Sequence, residues 1–589
     1  MKKTGKYKPQ SKTNRSPLHF FRDTFLTINS NSLELRIFSL MLFLFPFLLG
    51  LFFEFTAAFT GIVLSFFICF LIIRKKTLRL ALNFNSILLL LVFFSYLLVI
   101  PWSVDWGMSL IGWVKFSVPI LFMLVVMQFE EAEIQKSYAM IPLVGIIMVI
   151  LSGIAYFIPF LANILIDAGR LGGFFQYPNT FALFLMIGML ILLENKPSEP
   201  GTMIQLVILT LGIILTGSRI SLVMLVIVFL FYALSNKALR KTVLLLAGGS
   251  LLVVSLFLIS GLDFNTINRL TEILTNPSTL LGRFLYARDG LLMLLENPLG
   301  VGYLGYYYLQ PQFQTGVYTV KFIHNTLLQL GLDAGITALL AFIAVCFNSF
   351  FHGQMKRLDK LIFIVILAHS FLDMDFQYLV IVFIFIMTLS FGERKSYFNR
   401  KWLGLTISIL VILTGFYTYF LIALGNDYLG KQNTAYQMMP FDTEIKIYAL
   451  SQAGTTEAVT YWADSILSSN QTIALAYKGK AMVAAEEKNY EEMVLYMEQA
   501  INWNPYDLGD YQFLLAKLSE TMTYYNAQGD LANVQKYAEI ALDIPNQLDA
   551  MKTRTSWLGT KITDQPELEL SDTEKQYLKQ LQEYLEAFN

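Results

Sequence analysis

The chain has two cysteines and four histidines in 589 residues, and only 15% of it is charged. Cys69 and Cys346 both lie in apolar runs, so they read as small buried hydrophobes. Two such residues build neither a disulfide framework nor a thiolate metal cluster. The charge is far below the roughly 25% of a soluble domain. The formal net charge is zero, which leaves no bulk positive field for nucleic acid. These shortages exclude a soluble enzyme, a disordered chain and a nucleic-acid binder. Apolar residues fill the space, at 55% of the chain with 49 phenylalanines. The mean hydropathy is +0.55. The composition is that of a polytopic membrane protein.

A spanning helix needs about 20 apolar residues. Thirteen runs qualify, at 33–53, 55–73, 83–100, 108–128, 138–160, 174–193, 203–217, 219–235, 242–260, 325–351, 359–373, 376–392 and 401–424. Lys and Arg set their orientation, because basic loops stay in the cytoplasm. The tail 1–32 holds Lys2, Lys3, Lys6, Lys8, Lys12, Arg15 and Arg22, so it is expected inside. The first apolar run follows about thirty polar residues and is long, so it reads as a retained span and not a cleaved signal. Alternate loops, such as Arg74-Lys75-Lys76 and Lys356-Arg357, then fall on the same side. Thirteen spans place the C-terminus outside. The net charge of zero divides accordingly. Residues 1–425 carry 31 Lys/Arg and 19 Asp/Glu, whereas 426–589 carry 12 and 24.

Two regions are expected outside the bilayer. The loop 261–323 reads as a short helix near Thr266–Thr275, a helix from Gly282 to Glu296, a glycine turn and an aromatic stretch. The turn Gly300-Val301-Gly302-Tyr303-Leu304-Gly305 matches G-x-G-x-x-G, but no strand precedes it, so tight-turn glycines are the better reading. Residues 426–589 have a polar, helical pattern. Ala476–Pro505 fits a 34-residue tetratricopeptide unit, with weaker units near Thr443–Ser469 and Leu514–Pro545. Such units stack into a solenoid suited to docking; a plain helical bundle is the alternative.

Few basic residues remain once topology is accounted for. They are Lys115, Arg170, Arg219, Arg269, Arg283, Arg288 and Lys321, all expected at or near the outer surface. Arg269 and Lys321 read as snorkelling anchors. Arg170 precedes Tyr177-Pro178-Asn179, and Arg219 ends Thr216-Gly217-Ser218-Arg219. Arg283 and Arg288 flank Tyr286 on the loop helix, while His324-Asn325 precedes a span. His369, Asp373 and Asp375 lie in or after the next one. Arginine forks fit phosphate oxygens, and a histidine accepts a proton near neutral pH. Together they suit displacement of a diphosphate by a hydroxyl. The alternatives are anchoring arginines, a capping histidine, and aspartates that only end a span.

The segments Gly169–Asn179, Thr216–Arg219, Gly282–Tyr286, Glu296–Gly302 and His324–Gly335 resemble the O-antigen ligase/polymerase superfamily over roughly residues 35–395. That resemblance implies an all-α, polytopic bundle of about 12–13 spans, GT-C-like, in the bacterial plasma membrane, here with an extracytoplasmic tetratricopeptide-like domain. It implies a metal-independent glycosyltransferase without cofactor. The donor would be a glycan on undecaprenyl diphosphate, and the acceptor a glycan, cell-wall polymer or protein. Arg219 and Arg283 would bind the diphosphate and His324 would serve the acceptor hydroxyl. Arg170, Arg288, Asn325, Tyr286 and Asn179 would be further substrate contacts. The competing readings are a lipid-linked glycan flippase and a membrane-anchored scaffold that recruits proteins through its repeats.

Overall fold

A computed structural model describes residues 32–195, 200–260, 278–562 and 568–588. The basic tail, the expected helix near Thr266–Thr275 and Arg269 lie outside them. The structure is mostly helical, with only two short two-stranded ladders among the described residues. Six helices are long and apolar enough to cross a membrane: Glu54–Lys75, Phe84–Trp102, Trp106–Val126, Glu131–Ala155, Pro178–Asn195 and Arg400–Tyr428. Four shorter apolar helices accompany them: Gly201–Leu215, Arg219–Ser235, Ile336–Phe351 and Leu379–Thr388.

Two of the expected spans are not continuous. The run 33–53 is helical only over Leu33–Leu44. Pro46 and the left-handed Leu49, Gly50 and Leu51 then break it into two single turns, because proline lacks the donor a helix interior needs. The run 325–351 splits at Gly335, whose φ of +89° ends Thr326–Ala334 and starts Ile336–Phe351. The run 376–392 shortens to Leu379–Thr388, and all ten residues of that helix are buried.

The chain forms two compact units. The first comprises, among the described residues, 32–50, 129–195, 200–260 and 356–365. Its central helix, Pro178–Asn195, is apolar on all sides and buried from Pro178 to Leu193, as a fully enclosed helix should be. The Tyr138 hydroxyl and the Gln135 amide both donate to Asp359, at 2.8 and 3.1 Å, and pin this unit at one end.

The second unit comprises, among the described residues, 51–128, 278–355, 366–562 and 568–588. Arg400–Tyr428 lies along Glu54–Lys75, where Gly61 leaves room for the Tyr417 ring. A Cβ at Gly61 would sit 2.8 Å from that ring. The Tyr417 and Ser117 hydroxyls bond at 2.7 Å. Leu78–Leu80 pairs antiparallel with Lys395–Tyr397.

After Tyr428 the helices run in succession: Gln432–Met438, Thr443–Ser451, Thr456–Leu467, Ala474–Glu486, Tyr490–Trp503, Leu508–Ala527, Leu531–Arg554 and Asp572–Phe588. Their core holds Met493, Met497, Tyr511, Leu514, Leu518, Tyr537 and Ala541. Pro545, expected to close a repeat, lies inside Leu531–Arg554 instead. This region grips the loop at 303–322. Ser556 N–H donates to the Thr315 carbonyl at 2.8 Å, and Tyr308 OH donates to Glu444 at 2.9 Å. The Lys321 ammonium, expected to act as a lipid anchor, pairs with Glu444 at 3.2 Å.

Candidate active site

In the second unit the loop helix Ser278–Glu296 carries Arg283, Tyr286 and Arg288. His324 sits in the extended stretch before Thr326–Ala334 and is held from both sides. Ile323 N–H donates to Gln329 Oε1 at 2.8 Å, and Asn325 caps the helix by accepting from Leu328 N–H at 2.9 Å. Asparagine is among the best residues for that position. Asn325 Oδ1, expected among the substrate contacts, is engaged as this cap.

Asp373 lies in the turn after Ser370. Its Oδ1 meets His324 Nδ1 at 3.3 Å, and its Oδ2 meets Arg283 Nη2 at 3.1 Å. Arg283 Nη1 also donates to the Leu372 carbonyl at 2.5 Å. Thr326 Oγ1 donates to the Asp373 carbonyl at 3.0 Å and ties the turn to the histidine's own helix. The carboxylate is fully buried, while the histidine side chain is 20% exposed. The Arg283 guanidinium compensates the buried charge of the Asp373 carboxylate. A second pair lies close by, His369 Nδ1 with Asp375 Oδ2 at 2.7 Å, both buried.

Tyr286 stands between Tyr318 and His324, with ring centroids 4.5 and 6.3 Å away. Arg288 turns elsewhere. Five residues advance a helix by about 140° beyond a full turn, so Arg288 leaves the Arg283 face. It donates to Asp289 at 3.0 Å and to Thr315 Oγ1 at 2.7 Å. Asp289 also accepts from Thr315 N–H and Tyr318 OH, at 2.8 and 3.0 Å. An apolar cavity opens beside the site, walled by Thr326, Met374, Gln377, Tyr96, Phe116 and Phe385.

The other expected residues belong to the first unit. Arg170 is buried, and its Nε donates to the Thr216 carbonyl at 2.7 Å while Nη2 donates to Asn179 Oδ1 at 2.9 Å. Asn179 in turn donates to Tyr177 OH at 3.0 Å. Arg170 thereby braces the Thr216–Arg219 turn, where Gly217 has φ +59° and Ser218 caps the helix. Arg219 is that helix's first residue and is half-buried.

Residues 204–343 match the family model described as O-Antigen ligase. The stretch is an O-antigen ligase domain. The O-antigen ligase/polymerase resemblance is thus shown on these residues. The ligase domain contains Arg219, Arg283, Tyr286, Arg288, His324 and Asn325, while Arg170, Asn179 and Asp373 lie outside its bounds. It marks the chain as a multi-pass membrane protein of the glycan ligase or polymerase type. No curated protein and no solved structure matches the chain.

Asp373 is the residue that sequence reasoning left unassigned. Its only sign was the pair of carboxylates following His369. Lys115, expected near the surface, is fully buried and paired with Glu54 at 3.6 Å and Gln377 at 3.4 Å. It lies midway along Trp106–Val126, with its ammonium 4.9 Å from the centre of the Phe52 ring.

Proposed function

We propose that the chain is a glycosyltransferase that moves a glycan from an undecaprenyl diphosphate carrier to an acceptor hydroxyl at the outer face of the plasma membrane. The observation that carries this reading is Asp373 joining Arg283 to His324. An ionised Asp373 accepts from Nδ1–H and leaves Nε2 as the basic nitrogen. The acceptor O–H loses its proton to Nε2 as its oxygen attacks the anomeric carbon. The bond from that carbon to the diphosphate oxygen breaks, and the lipid diphosphate departs with the electron pair. Attack opposite the leaving group inverts the anomeric centre. Arg283 supplies positive charge for the departing phosphates, a role the family resemblance also implies for Arg219, and the apolar cavity beside Thr326 suits a lipid-borne donor. The N-terminus is cytoplasmic in this reading, and 426–589 is an extracytoplasmic tetratricopeptide-like domain that holds the acceptor.

The test is Arg219→Ala and His324→Ala in cells, with membrane insertion verified. Both variants should lose the surface polysaccharide; normal polysaccharide from well-inserted variants would reject the assignment. In a deletion strain, accumulated full-length lipid-linked glycan identifies a ligase, and short chains on the usual acceptor identify a polymerase.

A further inference from the structure

The helix Arg400–Tyr428 is 29 residues long and little covered by protein. Leu405, Ile409, Val411 and Ile412 are exposed along it, so it meets lipid. Its apolar stretch runs from Trp402 to Leu424. Tyr419 stands 17 residues after Trp402, about 25 Å along the axis. The hydrocarbon core is about 30 Å thick, so Tyr419 lies in its last few ångströms.

The chain then turns back. After Tyr428, the helix Gln432–Met438 packs against Arg400–Tyr428, and the Tyr419 hydroxyl donates to the Met438 carbonyl. Three residues on, the Phe441 ring packs tilted against Trp106 at 5.4 Å, and Trp106 is the first residue of another spanning helix. Both contacts set the start of the C-terminal helical region at the membrane boundary. The helix Gln432–Met438 carries Tyr436, one member of an aromatic group. Trp462 packs edge-on against Tyr436 and Tyr461, at 4.8 and 5.0 Å, and the two tyrosine hydroxyls bond at 3.2 Å. Tyr461 is 56% exposed.

We infer that Tyr436, Tyr461 and Trp462 form a lipid-contact edge of the C-terminal helical region, seated in the headgroup layer. Tyrosine and tryptophan carry an apolar body and a polar tip, which suits that layer. The edge continues the lipid-facing surface of Arg400–Tyr428. Charge does not drive the contact, because 426–589 has 12 Lys/Arg against 24 Asp/Glu. The helical region is thus held at the bilayer by its own surface as well as by its tether.

The test places a spin label at position 461 by Tyr461→Cys, with Cys69→Ser and Cys346→Ser, in the full chain in phosphatidylcholine vesicles. A control label replaces Leu495, which is also exposed. The ratio of oxygen to nickel-chelate accessibility should be several-fold higher at 461 than at 495, and unchanged by salt. Equal ratios overturn the inference. So does a signal at 461 that shifts on adding free oligosaccharide, which would assign the edge to sugar. Trp462→Cys gives an independent reading where the first variant fails to fold.

Discussion

Asp373 gives one oxygen to Arg283 and the other to His324, at 3.1 and 3.3 Å. A single carboxylate thus fixes both a permanent cation and a titratable ring. Asp373→Asn keeps the shape but loses the charge that holds the Nδ1 proton. Turnover should fall by about 10²–10⁴-fold with little change in membrane insertion. The assay is glycan transfer by purified protein, normalised to folded protein.

Arg170 serves the Thr216 carbonyl and Asn179 at once. Lysine keeps the charge but has no planar fork. Arg170→Lys should leave a buried acceptor unpaired, at a cost of about 1–3 kcal/mol. A lower melting temperature with transfer kinetics per folded molecule preserved would identify Arg170 as a brace. A rise in the donor KM alone would make it a substrate contact.

Gly335 combines a φ of +89° with a close approach, since a Cβ there would lie 2.7 Å from the Leu299 carbonyl oxygen. Gly300 faces it with φ +90°, and its Cβ would meet Gly335 N at 2.6 Å. Gly335→Ala should cost about 1–3 kcal/mol in backbone strain, with more from the clash. Thermal unfolding in detergent reads it directly.

Asp442 caps Thr443–Ser451 by accepting from Glu444 and Ile445 N–H. Burial, with Asp427 and Glu444 nearby, pushes its carboxyl up to about 7 against the opposing backbone bonds. A raised carboxyl penalises the fold above that pH, and the penalty is relieved as pH falls toward the unfolded value of about 4. Asparagine caps as well as aspartate. Asp442→Asn should therefore raise the melting temperature at pH 8 and change it little at pH 5.

The apolar runs announced the helices, because a period and a length survive in sequence. Breaks were harder to read. Pro46 and Gly335 are visible in the sequence, but whether each ends a helix or sits within one is set by backbone geometry. His324 and Arg283 stood out by residue type and motif. Their partner did not, since Asp373 is 49 and 90 residues from them along the chain and meets them only through the fold. Lys115 looked like a surface cation for the same reason. Glu54 and Gln377, which neutralise and bond it, come from distant elements.

The short helix Leu379–Thr388 sets a depth. Ten residues rise about 15 Å, half of a core about 30 Å thick, and the charged Glu393-Arg394-Lys395 follow almost at once. The helix alone therefore does not cross the core, and the non-helical residues 389–392 must supply much of the remaining distance to Glu393.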